Sequence, residues 1–261
     1  MIKIGLFDSG IGGFSILREL LKLDLPFEPF YIADEAFSPY GRKPDALIEQ
    51  RCREVASVLV AKGVDLIVVA CNTATAVGIR SLRKQYPDIP FVGVEPYLNI
   101  VNRKDLFKDQ RLAVLLTPLT EHSPKFKGLK KRLDPREKIS VLGCPHLADL
   151  IERAYAEGMG PALKNEMRKE LAPLQEGSYS HVILGCTHYP LIESFIEEEF
   201  GCQCISPGPY VAKRVASLLE EKSQTISLSS SENFHFMSTL KGKWSLKKKG
   251  DIPLSGGPFS F

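Results

Sequence analysis

VDLIVVACNTAT, residues 64–75, is an apolar run that stops on a thiol, an amide and a hydroxyl. Leu66, Ile67, Val68 and Val69 show no polar alternation, which marks a strand buried on both faces, as in a parallel sheet covered by helices. Such a strand delivers Cys71, Asn72 and Thr73 at its carboxyl end, where the ligand-binding loops of these sheets gather. SHVILGCTHYPL, residues 180–191, repeats the design with Cys186, Thr187 and His188.

On either side of these strands, apolar runs alternate with helical patterns, which predicts an α/β fold with mainly parallel sheets. IKIGLF reads as the first strand, and Phe14, Ile16, Leu17 and Leu20 then fall on one helical face. EPFYIAD reads as a second strand, and PDALIEQRCREVASVLVAKG as a helix that opens at a proline and closes at Gly63. IPFVGVEP ends this half near residue 96. The second half starts again with RLAVLLTP. It continues through a lysine-rich helical stretch, KISVLGCP, a helix in LADLIERAYAEG and one charged helix from Pro161 to Gln175, and then reaches its own thiol strand. After Gly208, PYVAKRVASLLEEK reads as a helix and SENFHFMST as one late strand. Roughly the last twenty residues are expected to be poorly ordered, with KGKWSLKKKG as a solvated basic tail. The expected organisation is a first α/β domain of residues 1–96 with 208–261 and a second of 97–207. The likeness of the thiol strands suggests related halves facing each other across a central cleft.

The chain has 261 residues, 44% hydrophobic and 25% charged, which is ample for two medium domains. Its N-terminal apolar run is too early and too short for a signal peptide or membrane span, so a cytoplasmic protein with no membrane partner is expected. Six cysteines, at 52, 71, 144, 186, 202 and 204, point in this setting to reduced thiols rather than a disulfide framework. A net charge of +3 argues against direct nucleic-acid binding.

The chemistry-bearing residues fall at strand ends: FDSGIGG, AD, ACNTAT, LTP, GCP and GCTHYP. Helix N-termini there suit a substrate carboxylate. Gly10 and Gly12 resemble the start of a dinucleotide fingerprint, with Asp34 as its ribose-binding acid, but Ser15 stands where the third glycine belongs. A tight strand-to-helix turn accounts for the glycines equally well. An Asp at a loop start is commonly a cap or turn former, which is the plain account of Asp8. A single cysteine is commonly a small buried hydrophobe. Two at matching strand ends, each just before a helix N-terminus, suit ionised thiols, whose ordinary pKa of about 8.5 falls in such places. Thiols on opposite sides of a cleft could remove a proton from one face of a stereocentre and return one to the other. A metal held by Cys186 with His188, or by Cys202 with Cys204, is the competing chemistry, and the spacings argue against it. His188 suits proton exchange with Cys186, while His122, His146, His181 and His235 read as surface or structural histidines.

FDSGIGG, SPYGRK, ACNTAT, GVEP and LGCTHYPL, in this order and spacing, resemble the glutamate racemases of the cofactor-independent aspartate/glutamate racemase family. The likeness runs from the first strand to about Gly208. Aspartate racemases tend to carry an acid where this chain has His188, which favours glutamate. The resemblance implies two α/β domains enclosing a site that interconverts L- and D-glutamate, supplying D-glutamate for peptidoglycan, with no cofactor and no metal. It implies Cys71 and Cys186 as the two catalytic bases, the first acting on the D-isomer and the second on the L-isomer. Asp8 and His188 would assist the thiols, and Glu152 matches a further acidic residue near the site. Ser9, Tyr40, Gly41, Asn72, Thr73 and Thr187 would hold the substrate's carboxylates and ammonium. Donors from Asn72, Thr73 and Thr187 could stabilise the carbanion, since the thiol motifs ACNTAT and LGCTHYPL carry no lysine to suggest pyridoxal phosphate. A homodimer is implied. Some relatives also bind DNA gyrase, for which the sequence offers no motif. Racemisation of aspartate or another amino acid, and a non-catalytic gyrase-binding role, are the alternatives. Leu116, where the family usually has glycine, and Ser206, where it often has aspartate, depart from the pattern and are expected to bear on the substrate pocket or the domain contact.

Overall fold

The computed structural model describes residues 1–23, 25–102, 110–220 and 232–252. These fall into two compact units, residues 1–94 with 208–252, and residues 95–207.

The first unit opens with β1 (Ile2–Asp8), α1 (Phe14–Leu20), β2 (Phe27–Ala33), α2 (Asp45–Val60), β3 (Leu66–Val69), α3 (Asn72–Gln85) and β4 (Phe91–Gly93). The second contains β5 (Leu112–Leu116), α4 (Pro118–His122), α5 (Pro124–Leu133), β6 (Ile139–Gly143), α6 (Leu147–Glu157), α7 (Pro161–Glu170), α8 (Ala172–Gly177), β7 (His181–Leu184), α9 (Glu193–Phe200) and β8 (Gln203–Ile205). The chain then returns to the first unit as α10 (Gly208–Glu220), β9 (Asn233–Ser238) and β10 (Trp244–Lys248).

The sheets run in the order β10-β9-β2-β1-β3-β4 and β6-β5-β7-β8, and every pair is parallel except β9 with β10. Both units therefore share one core order. The first strand lies between the second and third, and the fourth adds beyond the third. In each, the strand order reverses beside the first strand, and the loops at that switch point form the ligand-binding crevice of open α/β sheets. The thiol strand is the third strand in both, and its cysteine lies two residues past the strand's last residue. A short sequence match thus reports a shared topology.

Local chemistry explains the element ends. Pro44 precedes α2 with extended backbone, and Gly63 closes the following turn at a φ of 71°, in the left-handed region that side chains disfavour. Gly13 is required for close approach, since a Cβ there would sit 2.7 Å from the Tyr31 hydroxyl oxygen and 2.9 Å from Asp8 Cβ.

Two expectations are corrected. The charged helix expected from Pro161 to Gln175 is two helices, α7 and α8, broken at Leu171. Pro173 has no N–H to donate one turn back, and its ring obstructs the preceding turn. The basic tail is not solvated coil over 244–248: β10 is the antiparallel edge strand of the first sheet. Lysine-rich sequence suits an edge strand, because charge there blocks pairing with another chain. Trp244 anchors the strand, edge-on to Phe30 at 5.7 Å and beneath the Lys62 ammonium at 5.3 Å. Residues 253–261 lie outside the described residues, as does the serine-rich stretch 221–231. β8 and α9 went unrecognised in the sequence, because β8 is only three residues long and α9 spans eight.

Candidate active site

In the first unit, Asp8 ends β1, and Cys71 follows the neighbouring β3, with Phe7 and Val69 as register partners. Asp8 is fully buried and accepts the Gly10 N–H at 3.0 Å, while Ser9 Oγ lies 4.0 Å from Cys71 Sγ. Cys71 is the N-cap of α3, and its sulfur accepts the Ala74 N–H at 3.4 Å. A helix N-terminus stabilises negative charge, so this position suits a thiolate. Thr75 Oγ1 donates to the Val69 carbonyl at 3.1 Å and accepts the Val94 N–H at 3.1 Å, fixing the start of α3 against the sheet. Thr75 carried no sequence signal beyond its place in ACNTAT.

Asn72 and Thr73 form the first turn of α3, both buried. Asn72 is only 4% exposed, and neither Nδ2 nor Oδ1 of its amide has a hydrogen-bond partner. A buried polar atom without a partner costs roughly 1–3 kcal/mol, so the arrangement calls for a polar ligand that supplies both an acceptor and a donor.

Tyr40 is buried and donates its hydroxyl to Asp34 Oδ2 at 2.5 Å. Burial first, then Asp34, and to a lesser degree Cys52 and Cys71 push its phenol far above the usual range. Gly41 is half-buried beside it. Asp34 does not serve a nucleotide ribose, because both its carboxylate oxygens are occupied by Arg51 and Tyr40. Gly12 and Gly13 form a short 3-10 turn ahead of α1, and the Ser15 hydroxyl donates to the Gly12 carbonyl at 2.8 Å.

The second thiol is served differently. After β7 come Gly185, Cys186 and the buried Thr187, but a 3-10 turn over Tyr189–Ile192 intervenes before α9, so no α-helix N-terminus directly follows Cys186. The expectation of a helix cap at both thiols holds only for Cys71. His188 takes its place: Nδ1 lies 3.7 Å from Cys186 Sγ, and Nε2 lies 2.7 Å from Glu152 Oε1 on α6. Burial lowers the pKa of this imidazole, but hydrogen bonds to Cys186 and Glu152 and their charges outweigh it and hold the ring well above the ordinary histidine range. When protonated, the His188 ring donates to both neighbours. Sign follows from direction: the charged ring contributes stability fully below a pH of about 6.5, and this is lost as pH rises through the elevated value. Glu152→Gln should weaken that hold. Its activity should decline at lower pH than the wild type's, with the alkaline limb of kcat/KM displaced downward by as much as the histidine pKa drops. An unshifted alkaline limb in kcat/KM, with an unshifted His188 NMR titration, would refute it.

Leu116 is buried in the second unit's core with Leu98, Ile100, Val114 and Ile183, and its side chain crowds the α-carbon of Gly185, the residue before Cys186. A Cβ on Gly185 would meet Leu116 Cδ2 and come within 2.5 Å of the Leu115 carbonyl oxygen. Gly185→Ala is therefore expected to destabilise the protein by about 1–3 kcal/mol, read as a lowered Tm. Ser206 lies half-buried between β8 and α10. Of the other histidines, His235 pairs with Glu28 at 2.7 Å and stacks on Phe30. Among the described residues, no group of three or more His, Cys, Asp or Glu is arranged to hold a metal ion.

The first unit thus brings together Asp8, Ser9, Tyr40, Gly41, Cys71, Asn72 and Thr73, and the second Glu152, Cys186, Thr187 and His188. A family model described as Asp/Glu/Hydantoin racemase matches residues 15–215. A glutamate racemase of Aliarcobacter butzleri (strain RM4018) is 37% identical over 228 residues, covering 85% of each chain. Escherichia coli glutamate racemase, solved in complex with L-glutamate and the activator UDP-MurNAc-ala, is 28% identical with a TM-score of 0.79 over 91% of this chain and 88% of that one. The Francisella tularensis glutamate racemase in complex with D-glutamate is 26% identical with a TM-score of 0.74, over 91% and 88% of the two chains.

Proposed function

The chain belongs to the Asp/Glu/Hydantoin racemase family, and from that membership we propose that it interconverts L- and D-glutamate by proton transfer at two thiols. That it is an amino-acid racemase follows from the family and from its relatives; the substrate, the site residues and the mechanism are the proposal. The observation that carries it is the buried, unpartnered amide of Asn72 beside Cys71. An α-amino acid offers a carboxylate to the amide N–H and an ammonium to the amide oxygen, which satisfies both atoms at once.

In this reading one thiolate takes the α-proton and becomes a thiol, leaving the electron pair on the α-carbon. The other thiol gives its proton to the opposite face and becomes a thiolate, so each turnover leaves the enzyme poised for the reverse reaction. Cys71 acts on the D-isomer and Cys186 on the L-isomer, with Asp8 beside the first and His188, held by Glu152, beside the second. Asn72, Thr73 and Thr187 donate to the α-carboxylate as negative charge builds up. Donors fixed in advance are most effective where charge develops, and this one requirement makes their burial functional. Ser9, Tyr40 and Gly41 complete the substrate contacts. The chemistry requires no cofactor.

The D-isomer would feed peptidoglycan synthesis, and a homodimer in the cytoplasm completes the proposal. The scatter of six cysteines through the chain supports a reducing compartment. Among the described residues, no helix is long and apolar enough to cross a membrane. No observation supports binding to DNA gyrase.

Proton NMR in heavy water tests the reading, using L-glutamate, D-glutamate and L-aspartate with protein treated with chelator and freed of pyridoxal phosphate. Loss of the α-proton signal from both glutamate isomers, with inversion seen by chiral analysis, is expected. Exchange confined to aspartate would move the substrate to the shorter acid, and no exchange from folded, reduced protein would overturn the assignment.

A further inference from the structure

Beside the first thiol lies a buried ionic cluster that the proton transfers do not use. Asp34, just past β2, has no exposed surface. Its Oδ1 accepts Arg51 Nη2 at 2.6 Å, and its Oδ2 accepts Arg51 Nε at 3.1 Å and the Tyr40 hydroxyl at 2.5 Å. Arg51, on α2, lies 3.9 Å over the Phe37 ring and also pairs with Glu54. The Asp34 N–H donates to the Asp8 carbonyl at 2.9 Å. One residue therefore ties two loops together: the β1 loop with Asp8 and Ser9, through its backbone, and the 38–42 segment with Tyr40 and Gly41, through its carboxylate.

A buried ion pair contributes little net stability compared with apolar packing of the same volume, because desolvation offsets most of the attraction. What this pair supplies is direction. A planar guanidinium gripping both carboxylate oxygens leaves the carboxylate one orientation, and that orientation receives the phenol. The Tyr40 donor is spent on Asp34, so its oxygen and the backbone around Gly41 are presented in one fixed pose.

We propose that Arg51 and Asp34 are positioning residues that lock Tyr40 and Gly41 in the substrate-binding pose, and so set the affinity for the amino-acid substrate. This rests on the reading that Tyr40 and Gly41 contact the substrate.

Arg51→Met, Arg51→Lys, Tyr40→Phe and the Arg51→Met/Tyr40→Phe pair would be compared by steady-state kinetics and by hydrogen exchange of the peptide spanning 35–43. Loss of preorganised ground-state binding should raise KM about tenfold in Arg51→Met with kcat within about threefold, because the interaction is made equally in ground and transition states. Arg51→Lys should recover part of the KM, since an ammonium keeps the charge but not the fork. Arg51→Met should add little in the Tyr40→Phe background, and exchange should quicken over 35–43 but not over 181–192. Unchanged KM and exchange in folded Arg51→Met, or fully additive KM effects with exchange quickened throughout, would overturn the proposal. If the wild type does not racemise glutamate, the functional reading has failed, and local exchange then decides the positioning role. Faster exchange confined to 35–43 supports it and unchanged exchange overturns it. Should Arg51→Met not fold, Arg51→Lys carries the same comparison.

Discussion

Replacing Cys71 or Cys186 by serine is expected to lower racemisation of glutamate by about 10³- to 10⁴-fold, the scale of a lost general acid or base. A serine hydroxyl keeps the size of the side chain but is too weak an acid to exist as an alkoxide near neutrality, so each variant loses one of the two proton carriers. The informative result is the asymmetry between them. Cys71→Ser retains the thiol assigned to the L-isomer, so L-glutamate should still lose its α-proton to heavy water and recover a deuteron on the same face, while D-glutamate stays protiated. Cys186→Ser should show the reverse. The surroundings differ accordingly. Cys71 receives a backbone N–H at a helix start, whereas Cys186 faces the His188 imidazole braced by Glu152. Full racemisation in both serine variants would end the two-thiol mechanism, exchange of the same isomer in both would abolish the face assignment, and exchange of the opposite isomer in each would reverse it.

Asn72→Leu should produce opposite effects on activity and stability. The leucine has the same branching and number of heavy atoms and favours helix, and it removes two buried polar atoms that have no partner in the free protein. Stability should rise by about 1 kcal/mol, which for a chain of this size is a Tm increase of roughly 2–4 °C. Activity should fall by about 10²- to 10³-fold, the cost of deleting one preorganised donor from developing negative charge. Thermal denaturation and kcat/KM measured on one preparation decide it. A variant that is less stable yet nearly as active would show that the amide serves the fold rather than the substrate.

How far the sequence alone carries depends on whether a residue's task is local. Leu66–Val69 and Val182–Leu184 read as buried strands because burial on both faces leaves an unbroken apolar run, and the thiols after them were placed by chain continuity alone. The α/β class, Gly63 as a helix end, and Cys71 beside Asn72 follow from the same local rules. The edge strand Trp244–Lys248 did not, because its lysines look alike in coil and on a solvated sheet edge; pairing with β9 decides between them. The break at Leu171 was within reach, since Pro173 states it, but a long charged periodicity hid it.

Tertiary structure decided everything that depends on elements distant in the chain. Glu152 joins His188 across 36 residues, and with Cys186 that contact raises the pKa of the imidazole. Asp34 looked like a ribose ligand by spacing, yet Arg51, 17 residues on and inside an amphipathic helix, takes its carboxylate. Nothing in the periodicity of a helix says which polar residue reaches a neighbouring loop, because that depends on how α2 seats on the sheet. The sequence determined which residues stand at the strand ends. Folding decided which of them have partners, and electrostatics in buried surroundings turns those partnerships into charge states.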